Sequence, residues 1–454
     1  MPGSLINENN RKWVILVTAS MAFGLIMLDE TVVAVALPTI QHDLSMSLVL
    51  SHWVINSYLL VIAGLIAVGG KLGDIIGYRT LFVAGVLIFG IFSLAAGFAQ
   101  SATWILTARA LQGFGAAVIF PASMALLALT FPASQRGLAM GVYGAIGSIF
   151  IALGPLVGGF LTDEISWRWI FWINVPVIAI IILVFLASWR EPTFETARPK
   201  IDLPGLVTLV LGITPLVMAI MQGAEWGWDS YIIIFLFIMS AVMLTLFYII
   251  ELRAKEPLIE VDLFRNETFL SSNLAIFTGQ FTKIAVIVFG ALYFQEALKM
   301  NPLQAGAALL PAMIPIPIVA VISGRLTDKY GPRYPTLFGL LISGVALLLM
   351  GLTVGTDSYR LLVPTLILWG ISLSSIFAPA LTAVMLSVPN EKQGQASGIV
   401  LTSQIFGAAI GLAILSALLQ QLHSYRPVFL LTSGIVFFTL IVGWMYLGRK
   451  NNQS

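Results

Sequence analysis

Two ten-residue stretches of the chain follow one pattern, Gly70-Lys71-Leu72-Gly73-Asp74-Ile75-Ile76-Gly77-Tyr78-Arg79 and Gly324-Arg325-Leu326-Thr327-Asp328-Lys329-Tyr330-Gly331-Pro332-Arg333. They agree at five positions, and a sixth position pairs Lys with Arg, at a constant offset of 254 residues. The shared residues that bear on a gate are Gly70 and Gly324, Asp74 and Asp328, Gly77 and Gly331, and Arg79 and Arg333. Glycine permits tight turns, and repeated membrane segments are how many transporters form two halves around a central site. The repeat therefore predicts two related halves with a gate at these loops.

Long apolar runs flank both loops. A helix needs about 20 apolar residues to cross a bilayer. The sequence contains fourteen such runs: 13–38, 51–69, 80–99, 104–130, 138–161, 169–188, 203–223, 230–251, 268–294, 303–323, 335–354, 360–387, 396–420 and 427–447. Membrane β-barrels alternate apolar and polar residues, which these runs do not. The runs therefore predict an all-α protein with fourteen transmembrane helices.

The composition excludes most soluble classes of protein. Of the 454 residues, 59% are hydrophobic and only 10% are charged, whereas a soluble chain carries roughly 25% charged residues. The net charge of +2 is too small for a nucleic-acid-binding surface, and the absence of cysteine excludes disulfides and thiolate metal sites. The histidines are scattered, and no nucleotide-binding loop or hydrolase motif occurs. The sequence therefore predicts a membrane protein that is not an enzyme, requires no metal, ATP or other cofactor, and binds no nucleic acid.

Positive residues predict the orientation of the helices. With the N-terminus inside, seventeen of the 23 Lys and Arg residues fall in inner segments and four in outer segments, while Arg109 and Lys283 lie within spans. An excess of positive charge is typical of cytoplasmic loops. We therefore expect both termini in the cytoplasm. The runs divide into an N-terminal six-helix bundle (13–190), two extra linker helices (203–251) and a C-terminal six-helix bundle (268–447).

Further motifs resemble those of a known family. The ten-residue loop is similar to the signature of the major facilitator superfamily. Residues 28–38 (LDETVVAVALP), 109–115 (RALQGFG) and 154–159 (GPLVGG) resemble motifs of the first, fourth and fifth spans in its fourteen-span drug:proton antiporter branch. Other similar stretches are 167–176, 256–259 and 263–266. The resemblance covers nearly the whole chain.

The resemblance implies a fold, a location and a function. The fold is that of the major facilitators, with two six-helix bundles and two extra central helices in the cell (inner or plasma) membrane. The function is proton-coupled antiport that exports hydrophobic or amphipathic compounds by alternating access, as in multidrug efflux and drug resistance. The sequence departs from the family at Ala34, where Asn is common, at Ile75, where a basic residue is frequent, and at Lys283, which has no motif counterpart.

Four ionisable residues fall within the predicted spans: Asp29, Glu30, Arg109 and Lys283. Charged groups in the membrane are costly and usually functional. At about 1.5 Å per residue, Asp29, Arg109 and Lys283 lie roughly 13, 8 and 16 Å from the outer ends of their helices, so they are close enough in depth to interact. Lys283 also follows Asp29 by the repeat offset of 254 residues, which predicts that the two face each other across a central cavity. Adjacent helical residues point about 100° apart, so Asp29 and Glu30 are expected to differ in environment.

These charges predict a proton-coupling site. Asp29 is the first candidate for binding the proton or a cationic substrate and Glu30 the second, with Arg109 as the electrostatic partner that retains or releases the proton. A static ion pair, or snorkelling of Arg109 to the outer surface, is the structural alternative. If Asp29 or Glu30 neutralises Lys283, cationic drugs are suitable cargo. If Lys283 faces the cavity alone, an anionic or zwitterionic cargo such as a siderophore or lipid is favoured, and the sequence leaves this choice open.

Other polar and small residues complete the predicted sites. Candidates for lining the cavity are Asn56, Tyr58, Gln112, Gln280, Tyr293 and Gln404, although a hydrogen bond between helices is the commoner role of such residues. The small-residue face of the fifth span, Gly154, Pro155, Gly158 and Gly159, joins the repeated loops as a conformational element. The expected partners are a small-molecule substrate, protons and the lipid bilayer. Proton-coupled uptake and a non-transporting receptor or scaffold are the alternatives to export.

Overall fold

The computed structural model describes residues 8–189, 202–254, 257–356 and 358–448. Several residues used in the sequence arguments, Arg190, Arg198, Lys200, Lys255, Glu256, Arg449 and Lys450, lie outside the described residues. The described part of the chain is helical and contains no strand. It holds fourteen helices that are long and apolar enough to cross a membrane, which confirms the predicted count.

The first half contains helices α1 to α6. Their bounds are α1 Glu8–Asp43, α2 Leu48–Ile76, α3 Tyr78–Gly97, α4 Ala102–Thr130, α5 Arg136–Glu164, and α6 in two segments, Trp169–Trp172 and Asn174–Ser188. Serine caps begin two of them, because the hydroxyls of Ser47 and Ser101 accept from the N–H groups of Leu50 and Trp104. A 3₁₀ turn, Ala133–Gln135, precedes α5.

Two extra helices and the second half complete the chain. The extra pair is α7 Leu203–Trp226 and α8 Tyr231–Glu251. The first two helices of the second half are segmented: α9 comprises Glu267–Ile284, the π-helical turn Ala285–Phe289 and Gly290–Glu296, and α10 comprises Pro302–Ala308, Leu310–Met313 and Pro315–Tyr330. The others are α11 Arg333–Thr353, α12 Tyr359–Leu386, α13 Gln393–Leu422 and α14 Arg426–Tyr446. Short 3₁₀ turns, Val261–Arg265 and Asn390–Lys392, precede α9 and α13.

The two halves repeat one packing arrangement. Helix α1 packs against α5, and α4 packs against both α2 and α3. The corresponding contacts in the second half join α9 to α13, and α12 to both α10 and α11. The halves meet through α2 with α13 and through α5 with α10, which are again equivalent pairs. The loops 70–79 and 324–333 therefore lie at the same end of the bundle, called the loop end below.

The extra helices cover one side of the interface between the halves. Helices α7 and α8 pack against each other, and α7 also contacts α2 and α13, one helix from each half. An apolar cluster that includes Ala63, Leu209, Ile213 and Leu258 fills this contact. Apolar burial there holds α7 against both halves at once.

Candidate functional site

Asp29 lies in a sealed polar cluster between α1 and α4. Its Oδ2 accepts a hydrogen bond from Arg109 Nη1 at 2.6 Å, and its Oδ1 accepts one from Gln112 Nε2 at 2.9 Å. Arg109 Nη1 also donates to Gln112 Oε1 at 2.7 Å, which closes a three-residue ring. The side chains of Asp29 and Arg109 are fully buried. Both carboxylate oxygens of Asp29 thus have partners other than Lys283.

Further contacts fix the Arg109 guanidinium. Its Nε donates to the carbonyl oxygen of Val54 in α2 at 3.0 Å, and its Cζ lies 4.1 Å from the centre of the Tyr58 ring. Phe171 of α6 lies 5.8 Å away on the same measure. A planar guanidinium stacks on aromatic rings and donates several hydrogen bonds at once, so arginine suits this position better than lysine. Arg109 therefore reaches into the first half and does not snorkel to the surface.

Glu30 occupies a different environment from its neighbour. The less buried residues Phe23, Met27, Glu30 and Ala34 follow one another along α1 at intervals of four, three and four residues, which places them in one stripe. Asp29 lies off this stripe and is only 2% exposed. The two carboxylates therefore differ in environment, as the sequence predicts.

Lys283 of α9 and Arg109 of α4 are the cations that attract the Glu30 carboxylate. Lys283 is partly exposed and stands just before the π-helical turn Ala285–Phe289 of α9. Such turns occur frequently at functional sites. Among the described residues, no carboxylate forms a salt bridge with Lys283. Glu30 and Lys283 are thus an open pair, near enough to attract each other but not in contact.

The repeated aspartates join the halves at the loop end. Asp74 of α2 accepts from the backbone N–H groups of Gly394 and Gln395, the first turn of α13, both at 3.2 Å. Asp328 of α10 accepts from the N–H groups of Gly137 and Leu138, the first turn of α5, at 2.7 and 2.8 Å. A carboxylate at a helix N-terminus satisfies free N–H groups and interacts favourably with the helix dipole. Each half therefore caps a helix of the other half.

Glycines bring the backbones together beside these caps. A Cβ added at Gly70 would lie 2.2 Å from the carbonyl oxygen of Gly394, and one added at Gly324 would lie 2.3 Å from that of Gly137. Real Cβ atoms do not approach so closely, so neither position tolerates a side chain without movement. Gly77 and Gly331 have φ of +91° and +80°, which glycine adopts without strain.

The halves separate away from the loop end. Gly137 and Gly141 of α5 contact α10, where a Cβ added at Gly141 would lie 2.4 Å from the Ala320 carbonyl oxygen. Gly144 and Gly159 continue the same helical face, and a Cβ added at either would meet nothing within 4 Å. Contacts between α5 and α10 are therefore tight at the loop end and missing at these two glycines beyond it, towards the ends of α1 and α9 at which Glu30 and Lys283 lie.

The remaining predicted cavity residues are dispersed. Tyr58 and Gln112 belong to the Asp29 cluster. Asn56 lines a crevice towards Met218 and Gln222 of α7. Gln280 of α9 and Gln404 of α13 are partly exposed. Tyr293 is buried, and its hydroxyl accepts from the Gly355 N–H at 3.1 Å.

The predicted conformational residues also divide into groups. Gly154 and Gly158 pack against α1, where a Cβ added at Gly154 would lie 1.8 Å from Thr31 Oγ1. Pro155 is exposed on another face of α5, near that of Gly159. Of the repeated arginines, Arg333 donates to the Trp444 carbonyl oxygen within its own half at 2.9 Å, and Arg79 is exposed.

Sequence reasoning missed the partners of the repeated aspartates. These are backbone groups within a second repeat, Gly137-Leu138-Ala139-Met140-Gly141 and Gly394-Gln395-Ala396-Ser397-Gly398. The shared glycine, alanine and glycine, offset by 257 residues, were the available signal. It also missed Arg136, which donates to the Met385 carbonyl oxygen at 3.2 Å and to Asn390 Oδ1 at 3.1 Å across the interface.

Comparison with known proteins identifies the family to which this architecture belongs. The model of the Major Facilitator Superfamily matches residues 19–258, 205–399 and 268–454. The puromycin resistance protein pur8 of Streptomyces alboniger is 31% identical over 470 residues, covering 98% of this chain and 93% of that protein. The multidrug resistance protein Stp of Mycobacterium tuberculosis is 32% identical over 412 residues, covering 90% of this chain and 76% of that protein.

A solved structure agrees with the fold. The human organic anion transporter MFSD10 (TETRAN) matches with a TM-score of 0.70 at 16% identity, covering 95% of this chain and 99% of that one. At that identity the likeness concerns the fold alone. Together with the family match and the fourteen apolar helices, it shows that this chain is a multi-pass membrane protein of the major facilitator superfamily.

Proposed function

We propose that the protein is a proton-coupled antiporter that exports hydrophobic or amphipathic compounds across the plasma membrane. The observation that carries the proposal is an open charge pair, Glu30 and Lys283, beside a sealed one, Asp29 and Arg109, in a bundle closed at one end. Relatives named for puromycin and multidrug resistance support drug-like cargo. The bias of positive residues favours a cytoplasmic loop end. On that basis we infer that the open side faces the outside.

Access to solvent favours Glu30 over Asp29 as the group that exchanges protons. This reverses the order expected from the sequence, since Asp29 is enclosed by Arg109 and Gln112. A proton that binds Glu30 removes its charge and with it the attraction to Lys283. The Asp29 cluster holds α1 against α4 and fixes the direction in which Glu30 points.

The proton gradient supplies the energy for transport in this scheme. One elementary charge moving through 100 mV releases about 2.3 kcal/mol, enough to change the ratio of two states roughly fiftyfold. Protonation on the outside favours closure there, and the halves rock apart at the loop end as Asp74 and Asp328 leave their helix termini. Release of the proton inside accompanies loading of the cargo, and the cycle returns.

Transport by purified protein in proteoliposomes with an imposed pH gradient tests this proposal. Glu30→Gln is expected to retain drug binding and to lose most gradient-driven export, since a glutamine amide cannot bind and release the coupled proton. Asp163→Asn, at an exposed carboxylate, is the matched control. Normal proton-driven export by Glu30→Gln would refute the assignment. Compound binding without flux of any compound would identify a receptor instead.

A second candidate function is export of an anionic or zwitterionic compound. It is favoured by Lys283, which is partly exposed and has no salt bridge among the described residues. Lys283→Gln is then expected to weaken transport of anionic chelators or lipids and to spare cationic dyes. If a panel of cationic, anionic and lipid compounds keeps its ranking in this variant, Lys283 has no part in choosing the cargo.

A further inference from the structure

A cleft of about 590 Å³ lies on the second half, between α10, α11 and α12. Its walls are mainly apolar and include Ile322, Leu326, Phe338 and Ile371, with Tyr330 and Tyr334 towards the loop end. Five of these side chains are between 42% and 69% exposed, so the cleft is open along its length. Helix α11 packs against α10, α12 and α14 of its own half, which places the cleft on the outside of the bundle.

The apolar cleft contains an unused polar atom. Ser323 of α10 lines it and is 2% exposed, yet among the described residues its hydroxyl has no hydrogen-bond partner. Ser375, also in the lining, donates to the Ile371 carbonyl oxygen at 2.9 Å and is therefore satisfied. A buried hydroxyl without a partner is unfavourable by about 1–3 kcal/mol. The Ser323 hydroxyl is thus suited to an acceptor supplied by a molecule in the cleft.

A positive charge stands at one end of the cleft. The Lys329 Nζ lies 4.9 Å from the centre of the Tyr330 ring, which lines the cleft. Among the described residues, no carboxylate forms a salt bridge with Lys329. The carboxylate oxygens of the adjacent Asp328 accept hydrogen bonds from Gly137 and Leu138 of the other half. Lys329 is therefore available to an anionic group at the loop end.

The chemistry and the order of these groups identify the occupant. Six residues separate Ser323 from Lys329, which corresponds to about 9 Å along α10. A glycerophospholipid carries an anionic phosphate, then ester carbonyl acceptors, then acyl chains, in the same order as Lys329, Ser323 and the apolar walls of the cleft, and the long, flexible lysine side chain covers the remaining distance. Tyrosine is typical of the interface between membrane and water, and basic residues there attract anionic headgroups.

We propose that this cleft binds one anionic phospholipid from the leaflet at the loop end. Its phosphate contacts Lys329, an ester carbonyl accepts from Ser323, and an acyl chain lies between α10, α11 and α12. The opposite face of α10 carries Gly324 and Asp328, which contact the first half, so the lipid supports the helix that closes the loop end. The proposal does not depend on which compounds the protein exports.

Photo-crosslinking of the purified full-length chain tests the site. The probe is phosphatidylglycerol with a diazirine in one acyl chain, and peptide mass spectrometry locates the adducts. We expect adducts on cleft residues such as Leu326 and Phe338. Lys329→Gln is expected to reduce their yield about fivefold, because one cation near the surface contributes about 1 kcal/mol. Val319→Phe, which fills the cleft without changing charge, is expected to abolish them, and Lys299→Gln, at an exposed lysine elsewhere, to leave them unchanged.

Three results would overturn the proposal. One is labelling spread evenly over the exposed faces of α8 and α11, which indicates only the surrounding lipid. Another is unchanged labelling in both Lys329→Gln and Val319→Phe, each shown to be folded by size-exclusion chromatography. The third is displacement of the probe by a transported cationic dye at the same residues, which would assign the cleft to the cargo.

Discussion

Asp29 and Glu30 are adjacent in the sequence, yet one is sealed and the other is open. Asp29 is enclosed by Arg109 and Gln112 inside the first half, whereas Glu30 lies on the less buried stripe of α1 and is attracted by Lys283 of the second half. A rotation of about 100° between consecutive helical residues produces this difference. Asp29 therefore stabilises the packing within the first half, whereas Glu30 faces the space between the halves.

Removing each cation in turn tests the difference between the two carboxylates. Arg109→Gln leaves the buried Asp29 carboxylate without its counter-charge, and we expect a loss of about 3–5 kcal/mol in the free energy of unfolding. Lys283→Gln removes a partly exposed cation without a salt bridge, and we expect a change within about 0.5 kcal/mol. Denaturant titration of the purified variants in detergent measures both.

A double variant distinguishes the loss of the whole charge pair from the cost of leaving one buried charge without its partner. Asp29→Asn with Arg109→Gln removes both charges and is expected to recover part of the stability lost in Arg109→Gln, because coupled residues are not additive. Equal losses for Arg109→Gln and Lys283→Gln would contradict the distinction between a sealed and an open pair.

The closed and open parts of α5 and α10 give a second contrast. Gly324→Ala places a methyl group against the Gly137 carbonyl oxygen, and we expect it to disfavour closure of the loop end by about 1–3 kcal/mol, as overpacking does. Gly144→Ala is the matched control, because its Cβ meets nothing within 4 Å. The chain has no cysteine, so the reactivity of a single Ser397→Cys probe at the loop end reports opening. Equal reactivity of the cysteine probe in the Gly324→Ala and Gly144→Ala variants would contradict the difference between the closed and open parts of these helices.

A smaller effect is expected at the repeated caps. Asp74→Asn and Asp328→Asn each weaken a charged cap, worth about 1 kcal/mol, and should raise the reactivity of the same cysteine probe by roughly fivefold. The smaller effect is expected at Asp74, because the Tyr78 hydroxyl also accepts from the Gly394 N–H there at 2.8 Å, and the two effects should be nearly additive if they act independently. A large effect at one aspartate and none at the other would show that the halves do not close in the same way.

The smallest effect is expected at an exposed ion pair. Arg168 Nη1 lies 2.8 Å from Asp43 Oδ2, with side chains 30% and 46% exposed. Arg168→Gln is expected to reduce the free energy of unfolding by less than about 1 kcal/mol, and less still in high salt. Thermal melting at two salt concentrations checks this, and a loss as large as that of Arg109→Gln would show that burial does not decide the strength of these pairs.

Much of the fold was predictable because a run of about 20 apolar residues by itself predicts a helix that crosses the membrane. The fourteen runs predicted the fourteen helices, and the loop repeat predicted equivalent contacts at one end. The interaction of Arg109 with Asp29 followed from comparing depths in the membrane. The sequence left open whether Lys283 pairs with Asp29 or Glu30, since an offset of 254 residues gives equivalent positions but not the direction of each side chain, and in the structure Asp29 pairs with Arg109.

Side-chain direction and backbone partners explain the remaining gaps. Asn56 and Tyr293 are polar residues within helices, but their faces are set by neighbours that a single sequence does not identify. The partners of Asp74 and Asp328 are backbone N–H groups, which every residue except proline has, so the residue types at these positions do not reveal them. Only the glycines that allow the close approach, Gly137 and Gly394, mark them.

The close approach of backbones at the loop end has a consequence for electrical insulation. Where Gly70 meets Gly394 and Gly137 meets Gly324, even a methyl group has no room, so a water molecule has none either. Protons cross proteins along chains of water and titratable groups, and these contacts interrupt such a chain with two layers of carbon and amide. A proton leak at these two contacts would dissipate the gradient that a membrane stores, and the glycines close that route.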